Sequence, residues 1–179
     1  ALPIWVTNMD DDNASFRQVV VDLQEMYGKK IAPLHLPIRE NGQFVGYVNV
    51  IQMKAKRWKE DGKVDKTDVP DYSFENLEFC RDALLDSVAE SSVEYMDRYF
   101  AGDEFSENEI RQVLHTNVCD GSMVPISMAS GTMAKGIYTL LDDIVKYLPS
   151  PEKKECKAIK IKSNEVYDAD FNFAKAKSA

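Results

Sequence analysis

The sequence predicts an α+β fold, in which the remnant of an α/β sheet carries an inserted antiparallel sheet followed by helices. Three observations predict it. A strand-like run followed by an amphipathic helix opens the chain, and a second such pair closes it near residue 150. Between them, alternating residues and two turn dipeptides, Asn41-Gly42 and Asp61-Gly62, mark antiparallel strands. Downstream of those strands the apolar spacing becomes helical.

Residues 3–7 are apolar and run into the polar cluster Asn8-Met9-Asp10-Asp11-Asp12-Asn13, which reads as strand then loop. Asn13 or Asp12 is expected to cap a helix over 14–27, with Phe16, Val19, Val20, Leu23 and Met26 on one face and Gly28 as the stop. Residues 31–38 alternate and contain two prolines, which suits an edge strand. Residues 44–51, 53–58 and 64–69 complete a sheet of three or four strands, expected to be a module of its own. Over 73–90, Leu77, Cys80, Leu84 and Val88 share one helical face, while Glu75, Glu78, Asp82 and Asp86 occupy the opposite one. A helix over 92–100 ends at Gly102, and the next begins at Ser106, whose pairing with Glu109 has the capping-box spacing. Residues 123–128 read as a strand leading to Ala129-Ser130-Gly131-Thr132. After Gly136 comes a helix bearing Ile137, Leu140, Leu141, Ile144, Val145 and Leu148, stopped by Pro149-Ser150-Pro151. Residues 152–162 are charged and mostly basic. The stretch 166–176 looks extended, without a visible partner strand.

Composition bounds the function. Hydrophobic residues make up 44% of the 179, enough for a core, so wholesale disorder is excluded. The 22 basic and 30 acidic residues leave a formal net charge of -8, which argues against a large phosphate-binding surface and suits a basic partner. Cys80, Cys119 and Cys156 are scattered and odd in number, without a CxxC pair, so reduced thiols in a cytoplasm are expected rather than a disulfide framework or zinc site. No apolar run reaches the roughly 18–20 residues of a membrane span, and the first residues lack the charged and apolar regions of a signal peptide.

Few residues offer chemistry of their own. Counted from Asp10, a calcium loop would need Gly and Glu where Ser15 and Val21 stand, so the acidic run reads as a solvated helix start. His115 and Cys119 are four apart on one helix, without a third ligand nearby, and a structural role is expected for them. His35 lies within a strand, and neither histidine sits in a nucleophile motif. There is no GxxxxGK[ST] and no GxGxxG. No catalytic residue and no metal ligand are therefore assigned. The acidic helix face reads either as solvated surface or as a docking face for a basic partner.

Trp5-Val-Thr-Asn-Met-Asp-Asp-Asp-Asn-Ala-Ser-Phe16 resembles the Phe-Val-Asn-Lys-Met-Asp-Arg-x-x-Ala-x-Phe segment of bacterial elongation factor G, a translational GTPase. The likeness continues, in order, through Leu36-Pro-Ile, Phe44-x-Gly-Tyr-Val-Asn-Val-Ile-Gln-Met-Lys-Ala and Leu84-Leu-Asp-Ser-Val-Ala-Glu. It ends with Val124-Pro-Ile-x-Met-Ala-Ser-Gly and Leu148-Pro-Ser-Pro.

The resemblance implies guanine recognition. Asp10 takes the position of the family's base-reading aspartate, and Ser130-Gly131 that of its Ser-Ala motif. A carboxylate accepts two hydrogen bonds from guanine, which adenine cannot donate. Thr7 stands where the family has Asn, and Asn8 where it has Lys; a shifted register would put Asn8 first and Asp11 last. The departure implies a divergent paralogue with weaker nucleotide binding.

The resemblance further implies four segments. Residues 1–29 and 122–151 are two pieces of the GTPase domain, 30–121 its inserted subdomain, and 152–179 a linker into the following domain. In the family the insert meets the large-subunit stalk protein of the ribosome, which would place Glu75, Glu78, Asp82 and Asp86 at that contact. The parent would act with GTP or GDP and magnesium on the ribosome in translocation, as a cytoplasmic monomer. The phosphate loop, magnesium ligands and switch segments are expected before Ala1, so the piece alone is expected to bind no cofactor and hydrolyse nothing. No nucleic-acid site is evident in the chain. Two other layouts fit the residues: a ribosomal protection or release-factor-type sibling GTPase, and a binding module whose nucleotide pocket has decayed.

Overall fold

A computed structural model describes residues 3–59, 63–150, 156–159 and 166–169. Residues 1–148 form one compact unit and 149–179 a second. In chain order the first unit contains β1 (Ile4–Val6), α1 (Phe16–Tyr27), β2 (Ile31–Pro33), β3 (His35–Glu40), β4 (Gln43–Asn49), β5 (Lys54–Trp58) and β6 (Val64–Thr67). It continues with α2 (Phe74–Ala89), α3 (Val93–Ala101), α4 (Glu107–Asp120), β7 (Val124–Met128) and α5 (Ile137–Tyr147). The fold is α+β, with one parallel and one antiparallel sheet in this unit.

The parallel sheet has the order β1-β7-β2. Its central strand, β7, is buried at every position and pairs Val6 with Met128 on one side and Ile31 with Val124 on the other. That is the pattern of a strand covered on both faces. The antiparallel sheet has the order β3-β4-β5-β6. Asn41 and Gly42, with φ of 49° and 78°, make the tight turn between β3 and β4. The second expected turn, Asp61-Gly62, lies outside the described residues, but β5 and β6 pair around it from Trp58 opposite Val64.

Three sequence expectations differ from the structure. The stretch 31–38 is two strands, not one edge strand. β2 joins the parallel sheet, β3 begins the antiparallel one, and Leu34 links them by donating its N–H to Ile126 O and accepting from Val50 N. The antiparallel pattern therefore starts beyond Leu34, and a three-residue strand is too short for its partner to be read from periodicity. The cap of α1 is Ser15, whose Oγ accepts from Gln18 N at 3.3 Å, not Asn13 or Asp12. Asp11 is engaged in a local turn instead, with Oδ1 accepting from Asn13 N at 2.8 Å. In the second unit, β9 (Val166–Ala169) does have a partner, the antiparallel β8 (Cys156–Ile159).

Spacing does not say which face of α5 is buried. Leu141 and Val145 of its apolar stripe are 51% and 82% exposed, as is the neighbouring Tyr138 at 84%, while Asp143 and Tyr147 are buried. α2 and α4 follow expectation. Leu77, Cys80, Leu84 and Val88 of α2 are fully buried, and α4 starts with the complete Ser106/Glu109 capping box.

Candidate functional site

β1 and β7 are adjacent and parallel, so both chains leave the sheet at the same end. In open α/β sheets that carboxyl end is where ligands bind. The loop after β1 carries Thr7, Asn8 and Asp10, and the loop after β7 carries Ser130 and Gly131. Backbone hydrogen bonds tie the loop roots together, from Ala129 N to Val6 O at 2.9 Å and from Met9 N to Ala129 O at 3.5 Å.

Thr7 and Asn8 are exposed, and Asn8 holds φ of 58°, a left-handed conformation that asparagine tolerates better than most residues. Asp10 is half-buried, and its Oδ1 is shielded from solvent without a hydrogen-bond partner. Buried polar atoms normally have partners, so an orphaned carboxylate oxygen marks a place for a donor.

Ser130 is fully buried. Its Oγ accepts from Met133 N at 3.1 Å, and its backbone pairs with Lys135 in both directions, at 2.9 and 3.1 Å. The loop is thus a closed turn with Gly131 exposed at its shoulder. Gly136 ends it with φ of 83°, where an added Cβ would lie 3.0 Å from Met128 O. A groove of about 440 Å³ also opens beside the β1 loop, lined by Thr7, Asn8, Asp11 and Asn13, but neither Asp10 nor Ser130 lines it.

Over 149 residues the chain is 34% identical to elongation factor G of Thermotoga maritima, a match covering 82% of this chain and 22% of that protein. The chain belongs to the elongation factor G family. A protein of Thermus thermophilus with a solved crystal structure is similar at a TM-score of 0.73 and 27% identity, over 87% of this chain and 24% of the other. No protein-family model matches. The chain thus spans less than a quarter of the length of either relative.

The acidic face of α2 is divided in this elongation factor G family member. Glu75 pairs with Arg17 at 2.8 Å and Asp86 with Lys29 at 3.5 Å. Glu78 and Asp82 are exposed and make no ion pair among the described residues. His115 is exposed, its Nδ1 3.1 Å from Lys146 O, and no group of three metal-ligating side chains occurs among the described residues. No helix among them is long and apolar enough to cross a membrane.

Sequence reasoning missed one cluster. His35 of β3, Ser127 of β7 and Asp143 of α5 meet in the core, with His35 Nδ1 2.9 Å from Ser127 Oγ and Ser127 donating to Asp143 Oδ2 at 3.1 Å. Asn49 Nδ2 lies 3.4 Å from His35 Nε2, and Asn49 Oδ1 accepts from Gln52 N, which orients the amide to donate to Nε2. The imidazole therefore carries its proton on Nδ1. Burial, reinforced by Lys56 and Lys146, pushes the His35 pKa down to about 3, and burial pushes that of Asp143 up to about 7. Both Ser127 and Asp143 approach the same ring nitrogen and all three side chains are buried, so this is not a relay to an accessible nucleophile. The visible signals were an aspartate on an apolar helix and a serine within an apolar strand.

Proposed function

We propose that the chain supplies guanine recognition to an elongation-factor-G-like translational GTPase, which binds GTP and GDP and acts on the ribosome in translocation during protein synthesis. The carrying observation is the shielded, unpartnered Oδ1 of Asp10 at the carboxyl end of the β1–β7 pair. A carboxylate there accepts from guanine N1–H and the exocyclic amine, a donor pair that adenine lacks. Because Ser130 N–H is engaged by Lys135 O, Gly131 N–H is the donor for the guanine oxygen. The residues of this chain thus fit the base, while the phosphates, magnesium and attacking water require groups that the sequence does not contain.

Thr7 and Asn8 weaken rather than redirect this site. Thr7 cannot supply the amide of the family's Asn, and Asn8 lacks a long aliphatic stem to cover the purine. Affinity below that of the standard factor follows, with guanine preference retained. Titrating the intact protein with GDP and ADP tests this: preference for GDP supports the reading, and equal binding of both rejects it. No binding of either favours the binding-module reading, in which the pocket has decayed.

The α2 face completes the proposal as a docking surface for the ribosomal stalk protein. Glu78 and Asp82 carry it, since Glu75 and Asp86 already face cations. Glu78→Lys with Asp82→Lys should weaken stalk-domain binding at low salt, and unchanged affinity would remove α2 from the contact.

A further inference from the structure

The end of the β3–β4 hairpin lies between the two loops of the candidate base site and is bonded to both. Arg39, on β3, reaches the β1 loop: Nη1 donates to Ala14 O at 3.2 Å and Asp12 O at 3.5 Å, and Nη2 to Asp12 Oδ1 at 3.2 Å. Nη2 also donates to Gly42 O at 3.0 Å, so the same guanidinium braces the hairpin turn. The planar fork of arginine can hold this many acceptors in fixed directions, which a lysine ammonium cannot.

The second tether runs the other way. Lys135, which closes the Ser130 turn, donates from Nζ to Phe44 O on β4 at 2.9 Å and lies over the Trp58 ring at 5.7 Å. Phe44 is fully buried and packs edge-on against Trp58 at 4.7 Å, so the anchor is a rigid part of the sheet. Arg39 and Phe44 are themselves cross-strand partners. One pair of facing residues therefore anchors both loops. Asp10 is held within a turn that includes Asp11 N to Asn8 O and Ala14 N to Asp11 O, each 3.0 Å, and Arg39 grips the far end of that turn.

We propose that Arg39 and Lys135 are positioning residues for the guanine pocket, setting the Asp10 turn and the Ser130–Gly131 turn relative to each other through the hairpin end. Guanine affinity then depends on the antiparallel sheet, although no residue of that sheet is placed against the base. Coupling of this kind is reciprocal: a partner that displaces the hairpin loosens the nucleotide, and bound nucleotide stiffens the hairpin. The inference rests on the guanine reading of the preceding section.

The test is GDP and ADP affinity of the intact protein, with melting temperature recorded for each variant. Arg39→Met and Lys135→Met should each weaken GDP binding roughly tenfold, as expected when a charge-assisted positioning contact is lost. ADP affinity should stay constant, so the GDP-to-ADP ratio falls, which a general loss of folding does not produce. Lys135→Arg, which keeps a cation for Phe44 O, should restore the ratio. Arg39→Lys, a milder change that preserves charge and folding, should still lower it. Wild-type ratios in both Met variants and in Arg39→Lys, alongside wild-type protein that does prefer GDP, would overturn the inference. Wild-type protein without guanine preference would overturn the underlying reading first.

Discussion

The Asp143 carboxylate lies 3.3 Å from His35 Nδ1, in a place where neither side chain is more than 8% exposed. Burial pushes their pKa values in opposite directions, to about 7 for Asp143 and about 3 for His35. Opposite shifts of this kind favour a neutral imidazole beside a protonated carboxyl in the folded pair.

This arrangement predicts opposing pH dependences. The raised Asp143 pKa gives stability that is present below the unfolded carboxyl value and lost as pH rises through about 7. The lowered His35 pKa gives stability that is present above the unfolded imidazole value and lost as pH falls through about 3. Between about pH 4.5 and 6.5 the two slopes offset each other. Asp143→Asn removes one of them, so its stability should fall toward acid by on the order of 1 kcal/mol per pH unit more than the wild type's. Urea unfolding of both proteins at several pH values in that window measures this, and parallel pH profiles would count against the opposite shifts.

Gly46 of β4 sits where the β5 backbone approaches most closely. An added Cβ would overlap the Lys56 carbonyl oxygen and lie 3.1 Å from Arg57 Cα, and backbone cannot swing aside as a side chain can. Gly46→Ala is expected to destabilise by roughly 2–4 kcal/mol, in the range of core overpacking or worse. Gly102→Ala, with φ of 82° and open space around its Cβ, should cost only about 1–2 kcal/mol from conformation alone. Denaturant midpoints of the two variants give the comparison.

Ser106 and Glu109 cap α4 reciprocally, with Ser106 Oγ accepting from Glu109 N at 3.3 Å and Ser106 N donating to Glu109 Oε2 at 2.8 Å. Ser106→Ala should cost about 1 kcal/mol. Arg98, at 2.7 Å, together with the cap holds the Glu109 pKa down to about 2. The stability that this depression brings is present above the unfolded carboxyl value and lost as pH falls through about 2. A wild-type acid profile that Glu109→Gln leaves unchanged would contradict it.

The outward face of α5 makes a simpler prediction for the 179-residue chain. Val145→Ser should alter its stability by no more than about 0.5 kcal/mol, as at other exposed positions. Tyr147→Ala, at a buried site beside Arg111, should cost about 3–5 kcal/mol. Thermal melts of the two variants decide it, and equal losses would mean that α5 packs by its apolar stripe after all.

Local signals were legible in the sequence. The Asn41-Gly42 turn, the buried stripe of α2 and the Ser106 cap stand where spacing placed them. What was not legible depends on distant partners. The apolar stripe of α5 is evident from spacing, but spacing does not say which face meets the sheet, and here the Asp143 side does. β2 finds its partner about ninety residues later, and His35 meets Ser127 across 92 positions. The base-site residues could be named from resemblance. That Arg39 and Lys135 bind their loops to one hairpin could not, because neither residue belongs to any local pattern.

The central claim is that Asp10 reads guanine, and a change of base tests it most directly. Replacing Asp10 by Asn exchanges one acceptor for a donor, which suits xanthine, whose C2 bears a carbonyl in place of the amine. In the intact protein the account predicts that wild type prefers GDP to xanthosine diphosphate and that Asp10→Asn reverses the order. An Asp10→Asn protein that binds the two nucleotides in the wild-type order would contradict it.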